Sequence, residues 1–184
     1  MTVQIKTAQT KNWVASLLGF SGIALATLVP GGPIETRSFA HINPLTLGVF
    51  NTFLTTLVLG SLLLVYFVLK SERWAIWGAA ICGLSFLGVY GVDLAKIFPV
   101  SPDAMPPALL AIEVLGTVIS LPLMWLSMQA LKEVPQQTLA TVAVSHEGQA
   151  NAASSRMQQV VMVVALGAIA LGTIAFATRS AMGL

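Results

Sequence analysis

The sequence predicts an all-α fold: a polytopic helical membrane protein with about five transmembrane helices, the first four forming a bundle. Three observations carry this. Of 184 residues, 56% are hydrophobic and only 9% charged, against about 25% charged in an ordinary soluble domain. The mean hydropathy is +0.85. Apolar runs at 45–69, 74–92 and 108–131 each have the length of a helix that crosses a bilayer core.

Residues 1–12 are polar, with Lys6 and Lys11, and Trp13 to Val29 forms the first, short apolar stretch. Ala15 with Gly19, and Gly22 with Ala26, stand four apart, the spacing that lets helix backbones approach in lipid. A retained, packed first helix is expected. The alternative is a signal peptide, with basic residues before an apolar core and Ala24-Leu25-Ala26 as a cleavage signature.

The loop from Gly31 to Pro44 holds Glu35, Arg37, His41 and Asn43 among Gly and Pro. The second span follows at 45–69, its polarity (Asn51, Thr52, Thr55, Thr56) confined to the loop end. Lys70, Glu72 and Arg73 form a tight turn into the third span at 74–92, where Trp74 and Trp77 suit the headgroup boundary. Ala75, Ala79 and Gly83 give this span a close-packing face. Its far end carries Tyr90, Asp93 and Lys96, and a stiff connection with Pro99, Pro102, Pro106 and Pro107 leads on.

The fourth span, 108–131, sets the central problem, because it carries Glu113. An acidic side chain within a span costs roughly 2.5–3.5 kcal/mol and needs a partner, water or a proton. If the helix starts at the Pro106-Pro107 pair, Glu113 lies about 9 Å below that start. Helical stepping from Glu113 reaches Gly116, Thr117, Ser120 and Ser127, a small polar face that should look at other helices. Pro122 removes a donor from the carbonyl of Val118 and predicts a kink, with Thr117 or Ser120 available to re-satisfy the freed backbone.

Residues 132–159 turn to Gln, Thr, Ala, Ser and Asn, a composition that predicts a polar cytoplasmic linker. Residues 160–184 read as a fifth transmembrane helix and a short tail, with Ala168 and Gly172 offering a packing face at the periphery or against another subunit. The domain plan is therefore a bundle at 1–131, the linker, and the last helix. Lys6, Lys11, Lys70, Arg73, Lys132 and Arg156 fall on one side and Arg37, Lys96 and Arg179 on the other, which predicts a cytoplasmic N-terminus and a non-cytoplasmic C-terminus.

That topology gathers the candidate ligand-binding residues Glu113, Asp93, Arg37, His41, Asn51 and Tyr90 at the non-cytoplasmic face. Each has a structural alternative: Asp93 paired with Lys96, Arg37 neutralising Glu35 or Glu113, Asn51 joining helices, His41 hydrogen-bonded in its loop. No catalytic residue, metal site or cofactor is assigned. Cys82 is the single cysteine and lies in an apolar run, which excludes an intrachain disulfide and a cysteine metal cluster. His41 and His146 both lie outside the spans, which excludes transmembrane bis-histidine haem ligation. A net charge of +2, with scattered basic residues, excludes nucleic acid as a partner.

Two functional classes fit. The first is a non-enzymatic accessory or assembly subunit that packs against a protein partner or a homo-oligomer in the lipid bilayer. The second is a small-solute or proton-coupled carrier or receptor, with Glu113 titrating, Asp93 and Arg37 assisting and Pro122 flexing. A membrane enzyme using His41 and Glu113 as acid and base is a distant third.

Overall fold

The computed structural model describes residues 2–30, 34–133 and 168–183, all helix, turn or loop. Four long helices form a bundle: α1 (Thr2–Ala26), α2 (Pro44–Leu69), α3 (Arg73–Leu94) and α4 (Pro107–Glu133). A shorter apolar helix, α5 (Ala168–Ala181), packs at one end. Of these, α2, α3 and α4 are long and apolar enough to cross a membrane.

The expected apolar runs and the helices coincide closely, because each run is bounded by residues that stop or start a helix. Asn43 caps α2, its Oδ1 accepting from the Leu45 backbone N–H at 2.8 Å, with Pro44 in the first turn. Lys70 to Glu72 turn the chain into α3, and Ser71 takes a left-handed φ of 62° to do so. Pro106 and Pro107 open α4, which runs through Pro122 to Glu133. Thr117 and Ser120 donate to the carbonyls of Glu113 and Gly116, at 2.8 and 2.7 Å, so neither re-satisfies Val118 as expected.

The first helix departs further from its expected bounds. It starts at Thr2, not at Trp13, so the polar leader is helical, and it ends at Ala26. Lys11 fixes its register: Nζ donates to the Leu69 carbonyl and to Ser71 Oγ, both at 3.0 Å, tying α1 to the α2–α3 turn. The linker expected at 132–159 is seen only in Lys132 and Glu133, which belong to α4, and the rest lies outside the described residues.

Around the bundle α1 packs on α2, α2 on α3, α3 most extensively on α4, and α4 back on α1. Small residues set the closest approaches. A Cβ on Gly83 would lie 3.2 Å from the Met124 backbone nitrogen, and one on Gly22 would lie 2.5 Å from Ser61 Oγ. Both glycines therefore serve contacts inside the bundle. The core runs through Val14, Leu18, Ile76, Phe86 and Leu123.

At one end the C-terminus of α1, the N-termini of α2 and α4 and the C-terminus of α3 converge beneath two loops. Ser38 N–H donates to Asp103 Oδ2 at 2.8 Å and Ser101 Oγ donates to the Ser38 carbonyl at 2.9 Å, stitching the loops together. The C-terminal end of α5 docks here, with the Phe39 N–H donating to the Ala181 carbonyl at 2.8 Å. Phe39, Leu47 and Ala181 form a small second core.

Candidate functional site

Beneath those loops lies a buried polar site. Loop residue Glu35 begins it, because two residues later the Arg37 backbone N–H donates to Glu35 Oε1 at 3.0 Å. The local turn brings the Arg37 side chain onto the same carboxylate, Nε donating to Oε1 at 3.0 Å and Nη2 to Oε2 at 2.6 Å. Its other edge meets Asp93 at the end of α3, with Nη1 to Oδ1 at 3.0 Å and Nη2 to Oδ2 at 2.7 Å. A planar guanidinium can serve two carboxylates this way, whereas an ammonium cannot. Burial works against the Arg37 cation, but its hydrogen bonds and charge pairing with Glu35 and Asp93 win and raise its pKa. Phe39 lies under the guanidinium, 5.3 Å from ring centroid to Cζ.

Two groups next to this pair keep an oxygen with no partner, although the Asp93 carboxylate lies within hydrogen-bonding reach of the Glu113 carboxyl. Glu113 on α4 is 2% exposed, and its Oε2 makes no hydrogen bond. Tyr90 on α3, one turn before Asp93, is 1% exposed, and its hydroxyl also makes none. Charges on Asp93, Arg37 and Glu35 all act on Glu113, and Glu113 acts on Tyr90. Glu35, Arg37, Asn51, Tyr90, Asp93 and Glu113 line one cavity of about 50 Å³. That is room for a water-sized group or a small head group.

The inward face of α4 holds Glu113, Gly116, Ser120 and Ser127, as the helical stepping predicts, while Thr117 is only half-buried. Gly116 has a specific task, since a Cβ there would overlap the Tyr90 ring. Phe86 stacks on the same ring, 6.4 Å between centroids, so Tyr90 has little freedom to retreat. We expect Gly116→Ala to lower stability by about 1–3 kcal/mol, as overpacking does, and to displace Tyr90. Thermal unfolding in mild detergent measures this, and a change below 0.5 kcal/mol (about the surface-substitution scale) would mean that the ring is free to move.

Five of the six candidate residues come together here: Glu113, Asp93, Arg37, Asn51 and Tyr90. His41 does not. It is exposed in its turn and lines no part of the cavity. The Asp93–Lys96 pair is replaced by Asp93–Arg37, because α3 ends at Leu94 and Lys96, with φ 54°, lies beyond the helix to which an i,i+3 spacing applies. Arg37 neutralises Glu35, as one alternative had it, but its second partner is Asp93 and not Glu113. Asn51 does join helices, Nδ2 donating to Thr178 Oγ1 on α5 at 3.1 Å. Glu35 is the site residue absent from the candidates. The signal for it was its place two residues from Arg37 in a loop at the same end.

Three carboxyls against one guanidinium leave the site short of positive charge, and both edges of Arg37 are already occupied. Such a site can take up a proton, an organic cation or a hydrogen-bond donor. It contains no thiol or imidazole, and among the described residues no group of His, Cys, Asp and Glu is arranged to hold a metal ion. No curated protein and no solved structure matches the chain. Residues 10–151 match the model of a family described as a domain of unknown function, DUF8051, and the chain belongs to that family.

Proposed function

We propose that the chain is a polytopic integral membrane protein that binds a small solute in the polar site around Glu113, as a receptor or carrier and not as an enzyme. The membrane reading rests on α2, α3 and α4 and on the large apolar side chains that point outward from them, among them Leu63, Ile81, Leu84, Val118 and Leu121. A surface of that kind on a single chain needs lipid or protein cover. Completing α1 and α5 as spans gives five, with the N-terminus cytoplasmic, the C-terminus on the far side and the polar site near the non-cytoplasmic face, in keeping with the Lys and Arg asymmetry.

The single observation that carries the binding reading is Glu113: buried, with Oε2 unpaired, neighboured by the Asp93 carboxyl and not by a cation, and lining a cavity whose guanidinium is committed to Glu35 and Asp93. A buried carboxyl whose hydrogen-bonding neighbour is a second carboxyl gains no ion pair from it. The accessory-subunit reading drew on small-residue faces, and Gly22 and Gly83 use theirs within the bundle. It retains Gly88 and Gly91 on α3 and Gly172 on α5, where a Cβ would meet nothing within 4 Å.

Native mass spectrometry of protein released from mild detergent tests the choice. The wild type is expected to retain a small molecule that Glu113→Gln loses. A stoichiometric protein partner, with no small molecule in either sample, would return the accessory reading.

A further inference from the structure

A second cavity adjoins the polar one. It has a volume of about 360 Å³, within the range of small-molecule sites. Its walls are α1 near Leu25 and Ala26, one side of α2 from Asn51 to Leu62, and α5 at Thr173 and Ala177. Apart from Asn51, Thr55 and Thr173 the lining is apolar. Leu25, Leu28, Pro30, Asn51 and Leu54 line both cavities, so the two lie side by side across these residues. From Asn51 the apolar cavity follows α2 for about 16 Å, and Leu62 at its far end is 39% exposed on the outer surface of the bundle.

We infer that the two cavities form one site for a single-chain amphiphile with a primary ammonium head, the head beside Glu113 and Tyr90 and the alkyl tail along α2. This rests on the binding reading above and specifies its ligand. Charge selects the head: Arg37 is shared between Glu35 and Asp93, and Glu113, whose neighbour is the Asp93 carboxyl, has its Oε2 left for a cation. An ammonium supplies three donors, enough for the free oxygens of Glu113 and Tyr90. Size and lining select the tail, since a largely apolar volume of about 360 Å³ that follows α2 accommodates an alkyl chain, and Leu62 marks the side from which it would enter from lipid. A two-chain ethanolamine lipid fits worse on both counts, because it has a second chain and its phosphate would sit against Glu113 and Asp93.

The probe is dodecylamine carrying a terminal diazirine, added to the full chain in phosphatidylcholine nanodiscs and photolysed. Labelling is expected in peptides containing Val58 to Leu62 or Thr173 to Ala177. It should fall at least tenfold in Glu113→Gln and at least fivefold in Thr55→Trp or Leu59→Trp, either of which fills the apolar cavity, with thermal unfolding confirming that each variant is folded. The matching dodecanol probe should label at least tenfold less. Equal labelling by the alcohol, or labelling unaffected by Glu113→Gln, would overturn the ammonium head. Displacement of the probe by phosphatidylethanolamine would overturn the single-chain occupant. Glu113-dependent binding of methylammonium without labelling by the long-chain probe would reject the amphiphile and leave the small-solute reading intact. Failure of both would reject the two together.

Discussion

Arg37→Met is expected to lower the folding free energy by about 3–5 kcal/mol, the scale for removing one partner of a buried ion pair. Glu35 and Asp93 are both buried and both take charge-assisted hydrogen bonds from Arg37. Without the guanidinium, two carboxylates remain with no cation and a third, Glu113, stands beside them. For a chain of this size that corresponds to a fall in Tm of roughly 6–20 °C, followed by intrinsic tryptophan fluorescence in mild detergent. Arg37→Lys should fall between, because an ammonium keeps the charge but cannot present two donor edges. The double variant Arg37→Met/Asp93→Asn should recover part of the loss, since residues in one hydrogen-bonded network couple. A loss below 1 kcal/mol in Arg37→Met (about the median for an exposed pair) would mean that water reaches the carboxylates.

The fold was legible where apolar length decides it. Expected spans at 45–69, 74–92 and 108–131 became helices at Pro44–Leu69, Arg73–Leu94 and Pro107–Glu133, because Asn43-Pro44, the Ser71 turn and Pro106-Pro107 punctuate the chain locally. The polar start of α1 was not legible. Residues 1–12 carry no apolar periodicity, and the contact that registers this helix, Lys11 to Leu69 and Ser71, joins residues far apart in sequence. Whether a loop side chain points inward is likewise set by tertiary contacts. Hence Glu35 and His41, six residues apart in one loop, separate into a buried ion-pair member and an exposed side chain.

Helical stepping, by contrast, worked for the site. It put Glu113, Gly116, Ser120 and Ser127 on one inward face of α4, with Thr117 half-buried at its edge, whereas Asp93, expected beyond the third span, belongs to α3 one turn after Tyr90 and both are buried. What periodicity could not supply was the division of labour among the charges. That division depends on Arg37 reaching across from a loop to α3, a pairing between residues 56 positions apart, and on the consequence that Glu113 is left over.

Glu113→Met is expected to raise stability, and the sign of that change distinguishes a site from a scaffold. A buried polar atom without a partner costs about 1–3 kcal/mol, more when charged, and methionine replaces the carboxyl with an apolar group of similar length that adapts to irregular space. Tm should therefore rise by about 2–4 °C for each kcal/mol recovered, while retention of a bound small molecule is lost. Asp93→Met, made for comparison, should lower Tm, because it strips Arg37 of a bidentate partner. Two carboxyls in one cavity would then respond with opposite signs. That is the pattern of a site in which evolution has kept an unfavourable group for what it binds. A fall in Tm for both variants would instead make Glu113 a member of the structural network, and with it the binding reading would lose its principal support.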